Sequence, residues 1–447
     1  MMMMNPSVHH RLFVGETEPS TRGSVFLTSC LFGRYTPPVS TRLKRYRAFN
    51  ERLKLTTPIS AIKQGLYVKR PGLTAADQIV GHMEPSPTSQ VCLVGGIGSG
   101  KSTELLLATE RLGAVEDTRT FYIDVSELHD LENLEPGVLV TAVGHQLCNV
   151  LISLDLEMGR DLSRTLHSFR EYAETREAEI PDPDYFGHQD SDEAYPTVRR
   201  VLSGKLSMPR RVDRDIERLL DFVTEFRASL PEPNRYVIVI LDALDRVSDM
   251  EAFASAIDAD LRLLQRAGIG VVLTAPLITI YGKYRPLLDR FDHIIHLPPV
   301  DPSNADAREF LASVLAARDP EGVIPDNIRS LIGNWSGGIL RDMLALAKDA
   351  AQQAYMAGAD FVGEGHVDAA VFQLGRTRWL GLNGNEIKML RRIVTTPAGQ
   401  FAPSSDAELA LLMTRRVLEY PQVGKAPRFV VHPVLLPLLE GVRERQS

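Results

Sequence analysis

The sequence is poor in the residues that hold a fold together covalently. Only three cysteines occur in 447 residues, Cys30, Cys92 and Cys148, odd in number, far apart and without CxxC spacing. That excludes a disulfide framework and a cysteine zinc site, and it points to a reducing, cytoplasmic compartment. No apolar run reaches the roughly 18 residues that a membrane helix needs, so no membrane partner is expected. An excess of positive charge is also missing: the formal net charge is -7, which argues against general nucleic-acid coating while leaving room for a local basic face. What is present is globular, with 44% hydrophobic and 24% charged residues in a chain long enough for two or three domains.

Residues 1–39 are rich in Ser, Thr, Pro and Gly without a sustained period and are expected to be disordered; "FLTSCLF" within them is too short and too far in for a signal peptide. Helical spacing begins near Ser40 with "STRLKRYRAFNERLKL", followed by the extended piece "GLYVKRPG", an entry arm to a core domain placed at 40–300. That core alternates strand and helix: strand Gln90–Val94, helix Lys101–Arg111, strand Thr120–Val125, helix Gly137–Leu154, then apolar runs at Tyr236–Leu241, Gly270–Thr274 and His293–Leu297. The pattern predicts an α/β fold with a doubly wound parallel sheet, its strands buried on both faces.

An insertion at about 157–230 carries "EIPDPDYFGHQDSDEAY", six acids and no Lys or Arg, ahead of Arg199, Arg200, Lys205, Arg210, Arg211 and Arg214. It reads as a solvated helical hairpin with a disordered tip, or as a charge clasp for a partner. "NADAREFLASVLAARDP" and "SGGILRDMLALAKDAAQQAYMAG" predict a small helical domain at 301–375. Over 376–447, "GNEIKMLRRIV", "DAELALLMTRR", "VLEY" and "RFVVHP" read as helix, helix and hairpin, the order of a winged helix.

The chemistry is concentrated in "GGIGSGKS", Gly95 to Ser102, which satisfies G-x-x-x-x-G-K-[ST] between a strand and a helix. Gly95, Gly96, Ile97, Gly98, Ser99 and Gly100 supply a curled backbone whose N–H groups face an anion. Lys101 reaches the β and γ phosphates, the Ser102 hydroxyl ligates Mg²⁺, and Thr103 lies near the α phosphate. "YVIVILDALDR" supplies the second half: an apolar strand ending in Asp242, an acid whose burial calls for a cation, placed to hold the Mg²⁺ shell beside Ser102. Ala243 stands where many hydrolytic relatives carry Glu. Asp245 is then either the carboxylate that activates water or a partner of Arg246.

These residues resemble the AAA+ and STAND ATPases, with "DALDR" similar to the NACHT and KAP form of the motif. The resemblance covers about Tyr67 to Ala357 and implies a P-loop core, a helical lid and the winged helix behind it. It implies that Thr274 is a polar sensor, that Arg290 in "LLDRFDHIIHLPPV" is the finger that reaches a neighbour's nucleotide, and that Arg341 in "SGGILRDMLALAKDA" is a second sensor near the γ phosphate. Arg290 could equally pair at the surface, with Arg285 an alternative finger, and Arg341 could simply brace the lid. Tyr67 either stacks on adenine or packs in the core.

The segment 376–447 has eleven Lys and Arg against six acids, which permits phosphate contact through Arg391/Arg392 and Arg415/Arg416 or merely lines a solvated face. His432 is read as a packed residue. The expectation is therefore an ATP- and Mg²⁺-dependent switch that assembles as a homo-oligomer on ATP binding and works with an effector or sensor protein. Anti-phage or stress signalling is what the STAND resemblance implies for such a switch. The alternative is a DNA-associated AAA+ protein, initiator-like or transposition-regulator-like, using its winged helix on duplex. A small-molecule P-loop kinase is disfavoured by the sensor-like segments and the C-terminal module, and no acceptor pocket can be named.

Overall fold

Short continuous apolar runs dominate the middle of the chain, and in the computed structural model they become the strands of one buried sheet. The structure describes residues 41–53, 58–153, 160–173, 179–181, 197–199, 212–230, 235–397 and 400–441. The expected disorder of 1–39 and most of the acidic tip of the insertion lie outside them. In chain order the strands are β1 (Gln90–Val94), β2 (Thr118–Asp124), the short antiparallel pair β3 (Glu179–Pro181) and β4 (Thr197–Arg199), β5 (Tyr236–Asp242), β6 (Ile269–Ala275), β7 (His293–His296), and the hairpin β8 (Val417–Gln422) with β9 (Lys425–Val431). Five of them form a parallel sheet in the order β2-β5-β6-β1-β7. Every residue of β1 and β6 is buried, as strands covered on both faces require.

The register sets the site. Asp124 of β2 stands opposite Asp242 of β5, Leu241 opposite Leu273 of β6, and Thr274 opposite Leu93 of β1. Asp124, Asp242 and Thr274 thus share one row at the carboxyl ends of the strands. A period of two places Tyr122 and Asp242 on the face of Ile238 and Ile240, and those two side chains pack with Leu105 and Ala108.

That face is covered by α3 (Ala75–Met83) and α4 (Lys101–Leu112). Ahead of them lie α1 (Thr41–Leu53) and the short α2 (Pro58–Lys63), and α5 (Val125–Leu128) is one turn after β2. The opposite face is covered by α6 (Val138–Ser153) and α9 (Met250–Arg266), with α7 (Arg160–Ala173) and α8 (Val212–Ala228) of the insertion stacked outside α6. Phe169, Phe222 and Phe226 form an aromatic cluster there. Only a residue without Cβ fits at Gly144, where that atom would come within 2.7 Å of the Phe169 ring. The insertion's described helices are therefore part of the core rather than a free hairpin.

Behind the sheet, α10 (Ala305–Ala316), α11 (Asp326–Trp335), α12 (Leu340–Met356) and α13 (Glu364–Trp379) form the helical lid, followed by α14 (Gly384–Thr395), α15 (Asp406–Met413), the hairpin and α16 (Leu436–Gly441). The helix, helix, hairpin order matches the reading of 376–447. Two boundaries differ from expectation. Helix α1, assigned to the core, buries Tyr46 and Phe49 in the apolar cluster of Met343 and Leu346 on α12, and Arg42 donates to the Tyr355 carbonyl at 2.9 Å. Its aromatic stripe finds the lid because α3 and α4 already cover the near face of the sheet. The division at 375/376 also falls inside α13, where Gly375 lies so close to the backbone of Val434 that a Cβ would meet its carbonyl at 2.5 Å. Lid and C-terminal segment share one apolar core.

Candidate functional site

The glycine-rich loop leaves the buried end of β1 and passes hard against the exit of β7: a Cβ on Gly95 would lie 2.6 Å from the Leu297 carbonyl oxygen. Gly98 and Gly100 hold φ of 86° and 100°, a region that L side chains avoid. The loop then opens α4, whose first-turn N–H groups and dipole favour an anion. Lys101 is 5% exposed. Its ammonium donates to the carbonyls of Gly95 at 2.8 Å and Gly96 at 3.0 Å and pairs with Asp245 Oδ2 at 2.9 Å. Asp245 therefore meets Lys101 rather than Arg246. Ser102 and Thr103 are half-buried in the same turn.

Beneath the loop, Asp242 is 2% exposed and is held from two sides: Oδ1 accepts from the Ala243 N–H at 2.7 Å, and Oδ2 accepts from the Tyr122 hydroxyl at 2.6 Å. Tyr122 also interacts with the Ser102 hydroxyl; burial and then the Asp242 carboxylate push its phenol well above the usual tyrosine range. The alternation of "FYID" marks Tyr122 and Asp124 as one face of a strand, a signal that could have placed Tyr122 here. Ala243 adopts φ of 74°, a strained conformation for a residue with a Cβ, and it directs the following 3₁₀ turn so that Asp245 points back at Lys101. The hydroxyls of Thr274 and Ser99 are buried with no hydrogen-bond partner. Orphaned buried hydroxyls need an explanation, and two beside a glycine cradle and a buried acid fit a site that receives a polar ligand. Among the described residues no cluster of three or more His, Cys, Asp or Glu could hold a metal ion alone. Ser102 and Asp242 suit a hard cation that keeps its other ligands from water and phosphate.

The lid docks directly on this loop. The Arg341 N–H lies 3.4 Å from the Gly98 carbonyl oxygen, and a Cβ on Gly98 would fall 2.6 Å from that of Arg341, whose side chain is exposed. The next residue, Asp342, is buried and receives Arg378, Arg415 at 3.2 Å and His432 Nε2 at 3.2 Å. Burial pushes this carboxyl up, but His432, Arg378 and Arg415 together hold it below the usual range. Arg415 has φ of 60° and also donates to the Ile97 carbonyl of the loop at 3.4 Å. Nothing in the local sequence around "MTRR" indicates that contact, which joins residues 318 apart.

The entry segment reaches both α4 and the loop. The Tyr67 hydroxyl bonds to Glu104 Oε1 at 3.4 Å, and burial with that carboxylate raises its pKa to about 12. Arg70, which the sequence did not single out, donates to the Ser99 carbonyl and to the Pro298 carbonyl at 3.2 Å. It lines an open cleft with Pro298, Pro299, Val300 and Asn304.

Arg290 lies elsewhere. It pairs with Asp258 at 2.7 Å, half exposed, in a cleft that includes Gln90, the first residue of β1. The loop leaves the other end of that strand, roughly 16 Å away at ~3.3 Å per residue. Arg285 pairs with Asp289 at 3.0 Å. Of the C-terminal basic pairs, Arg392 stays more than half exposed while pairing with Glu408, Arg416 donates to the carbonyls of Arg378 and Leu380 at 2.9 and 2.8 Å, and Arg415 turns inward as described. Carbonyls and a buried acid draw Arg415 and Arg416 inward, which composition alone does not reveal. His432 is fully buried.

No protein-family model matches the chain, and no curated protein matches it in sequence. In fold it is similar to Cdc6p of Pyrobaculum aerophilum, at 13% identity and a TM-score of 0.40 over 89% of this chain and 98% of that one. It is also similar to the Aeropyrum pernix Orc1 protein solved in complex with DNA, at 13% identity and a TM-score of 0.42 over 88% and 98%. The Thermotoga maritima RuvB Holliday junction branch migration motor gives 13% and 0.38 over 85% and 98%. Likeness at this identity and score decides nothing about activity.

Proposed function

We propose that the chain is an ATP-binding, Mg²⁺-dependent and ATP-hydrolysing switch of the AAA+ type. The observation that carries this reading is the meeting of three elements at one point: a glycine loop with a buried lysine, a row of Asp242 and Thr274 beneath it, and a lid helix seated on the loop at Gly98 and Arg341. In this reading the loop N–H groups and Lys101 bind the phosphates, and Asp242 with Ser102 holds Mg²⁺, whose chemistry is to neutralise charge on the transferred phosphate and align it for water. Thr274 meets the ligand with its unpartnered hydroxyl. The base enters the cleft of Arg70, Pro298 and Asn304. Arg341 at the lid closes over the phosphates, so that lid position reports the nucleotide.

Arg290 lies far from its own loop and pairs with Asp258 at the surface; in this reading it exchanges that partner for the nucleotide of a second copy, and ATP promotes association. The STAND form of this switch, with an effector or sensor partner, is supported by "DALDR" at the end of β5. The DNA-associated form is the second reading. With Arg392, Arg415 and Arg416 engaged internally, it rests on the hairpin tip, where Val423 is fully exposed beside Lys425.

Calorimetry of Lys101→Ala tests the nucleotide reading: loss of a charge-assisted phosphate contact should weaken ATP about 10- to 100-fold. Unchanged affinity in a folded variant refutes it. Sedimentation velocity with ATP, with Arg290→Ala as control, tests assembly. Salt-dependent duplex binding at low ionic strength separates the DNA form from the protein-partner form.

A further inference from the structure

The ammonium of Lys101 is saturated. It has three N–H donors, and three acceptors surround it: the Gly95 carbonyl at 2.8 Å, the Gly96 carbonyl at 3.0 Å and the Asp245 carboxylate at 2.9 Å. The ion pair is almost dry, with the two side chains 5% and 9% exposed. A phosphate oxygen can reach this lysine only by displacing one of the three.

We propose that Asp245 is an internal counter-anion that competes with phosphate for Lys101 and that an incoming phosphate must evict. The proposal rests on reading Gly95 to Ser102 as a phosphate site and adds a competitor to it. Asp245 is the acceptor that leaves, for two reasons. The two carbonyls belong to the loop itself, whereas Asp245 is carried by a 3₁₀ turn, Leu244–Arg246, that follows the strained Ala243. A carboxylate and a phosphate also repel when both face one ammonium in a water-poor space. The pair spares Lys101 the cost of a lone buried charge, and nucleotide affinity is set lower than the loop alone would give. Once evicted, the carboxylate stands at the edge of the phosphate site, so any action on water follows binding and cannot precede it.

The experiment uses the full chain, with tripolyphosphate, ATP and adenosine as calorimetric probes. Asp245→Asn removes the competing charge and keeps the shape. Tripolyphosphate and ATP should bind at least tenfold more tightly than to wild type, with adenosine unchanged, and in a Lys101→Ala background the gain should vanish. Asp245→Ala should act in the same direction and serves if the Asn variant does not fold. Wild type that binds ATP, with folded Asp245 variants that bind tripolyphosphate equally or more weakly, overturns the counter-anion and leaves the nucleotide reading standing. Failure of wild type and both variants to bind any phosphate probe overturns both.

Discussion

Two little-exposed carboxylates, Asp342 and Asp245, face cationic side chains near the same glycine loop, and they are held in opposite ways. Asp342 sits in the first turn of α12 and has three cationic or protonatable partners, Arg378, Arg415 and His432, drawn from α13, the end of α15 and the end of β9. Asp245 sits on a single 3₁₀ turn after a left-handed alanine and has one cationic partner, Lys101. The first arrangement ties lid to C-terminal segment, and no ligand anion can take its place without leaving three groups to be paired again. The second is exchangeable, because one charge can be substituted by another of the same sign. Burial alone does not distinguish a brace from a gate; the number of partners and the backbone carrying them do.

Removing the brace should have the largest effect. Asp342→Ala leaves the largely covered Arg378 and Arg415 beside buried His432 without their anion, and loss of one partner from a buried charge cluster costs about 3–5 kcal/mol. Urea denaturation should show that loss, and nearly unchanged stability would place Asp342 with Asp245 among the exchangeable acids.

A third buried carboxylate sharpens the contrast. Asp260 on α9 caps the start of α6, accepting from the N–H groups of Gly137 and Leu139, and burial pushes its pKa up to about 7 despite those bonds. The folded chain therefore holds a proton that the unfolded chain has lost between about pH 4 and pH 7. This contribution is full below pH 4 and is lost as pH rises through 7, with a slope of at most about 1.4 kcal/mol per pH unit. Thermal or urea melts across this window should show the decline, and Asp260→Asn should flatten it.

The smallest effect is expected at the contact between loop and lid. Gly98→Ala forces a Cβ into a left-handed residue and against Arg341, at about 1–2 kcal/mol of strain, relieved in part by a shift of α12. A melt should show the loss, and limited proteolysis should find the lid more easily cut. An unchanged melt would mean that the lid is not seated through Gly98.

Much of the core was legible. The apolar runs gave five strands within two residues of their observed ends; β1, β5 and β6, buried along nearly their whole length, have no polar alternation to blur them. "GGIGSGKS" and the Asp242 that closes β5 were found because their residue types are demanded locally, by positive φ at Gly98 and Gly100 and by the end of a strand. Tyr122 and Arg70 were not singled out, since a tyrosine in a strand and an arginine in an entry arm are ordinary until register and chain path bring them to Asp242 and Ser99. At the basic pairs, the partners of Arg392, Arg415 and Arg416 were not legible either: charge counted along a segment does not show which side chains are answered from elsewhere in the chain.

By itself, then, the sequence determined the elements, their order and the glycine loop, all of which depend on periodicity and on residues within a few positions of one another. Only the tertiary structure decided the pairing of Lys101 with Asp245, the orphaning of the Thr274 hydroxyl, the capture of α1 by the lid and the reach of Arg415 to Ile97. Each of these depends on which acceptor or apolar surface lies nearest once distant segments pack, and that is a property of the whole arrangement rather than of any stretch of chain.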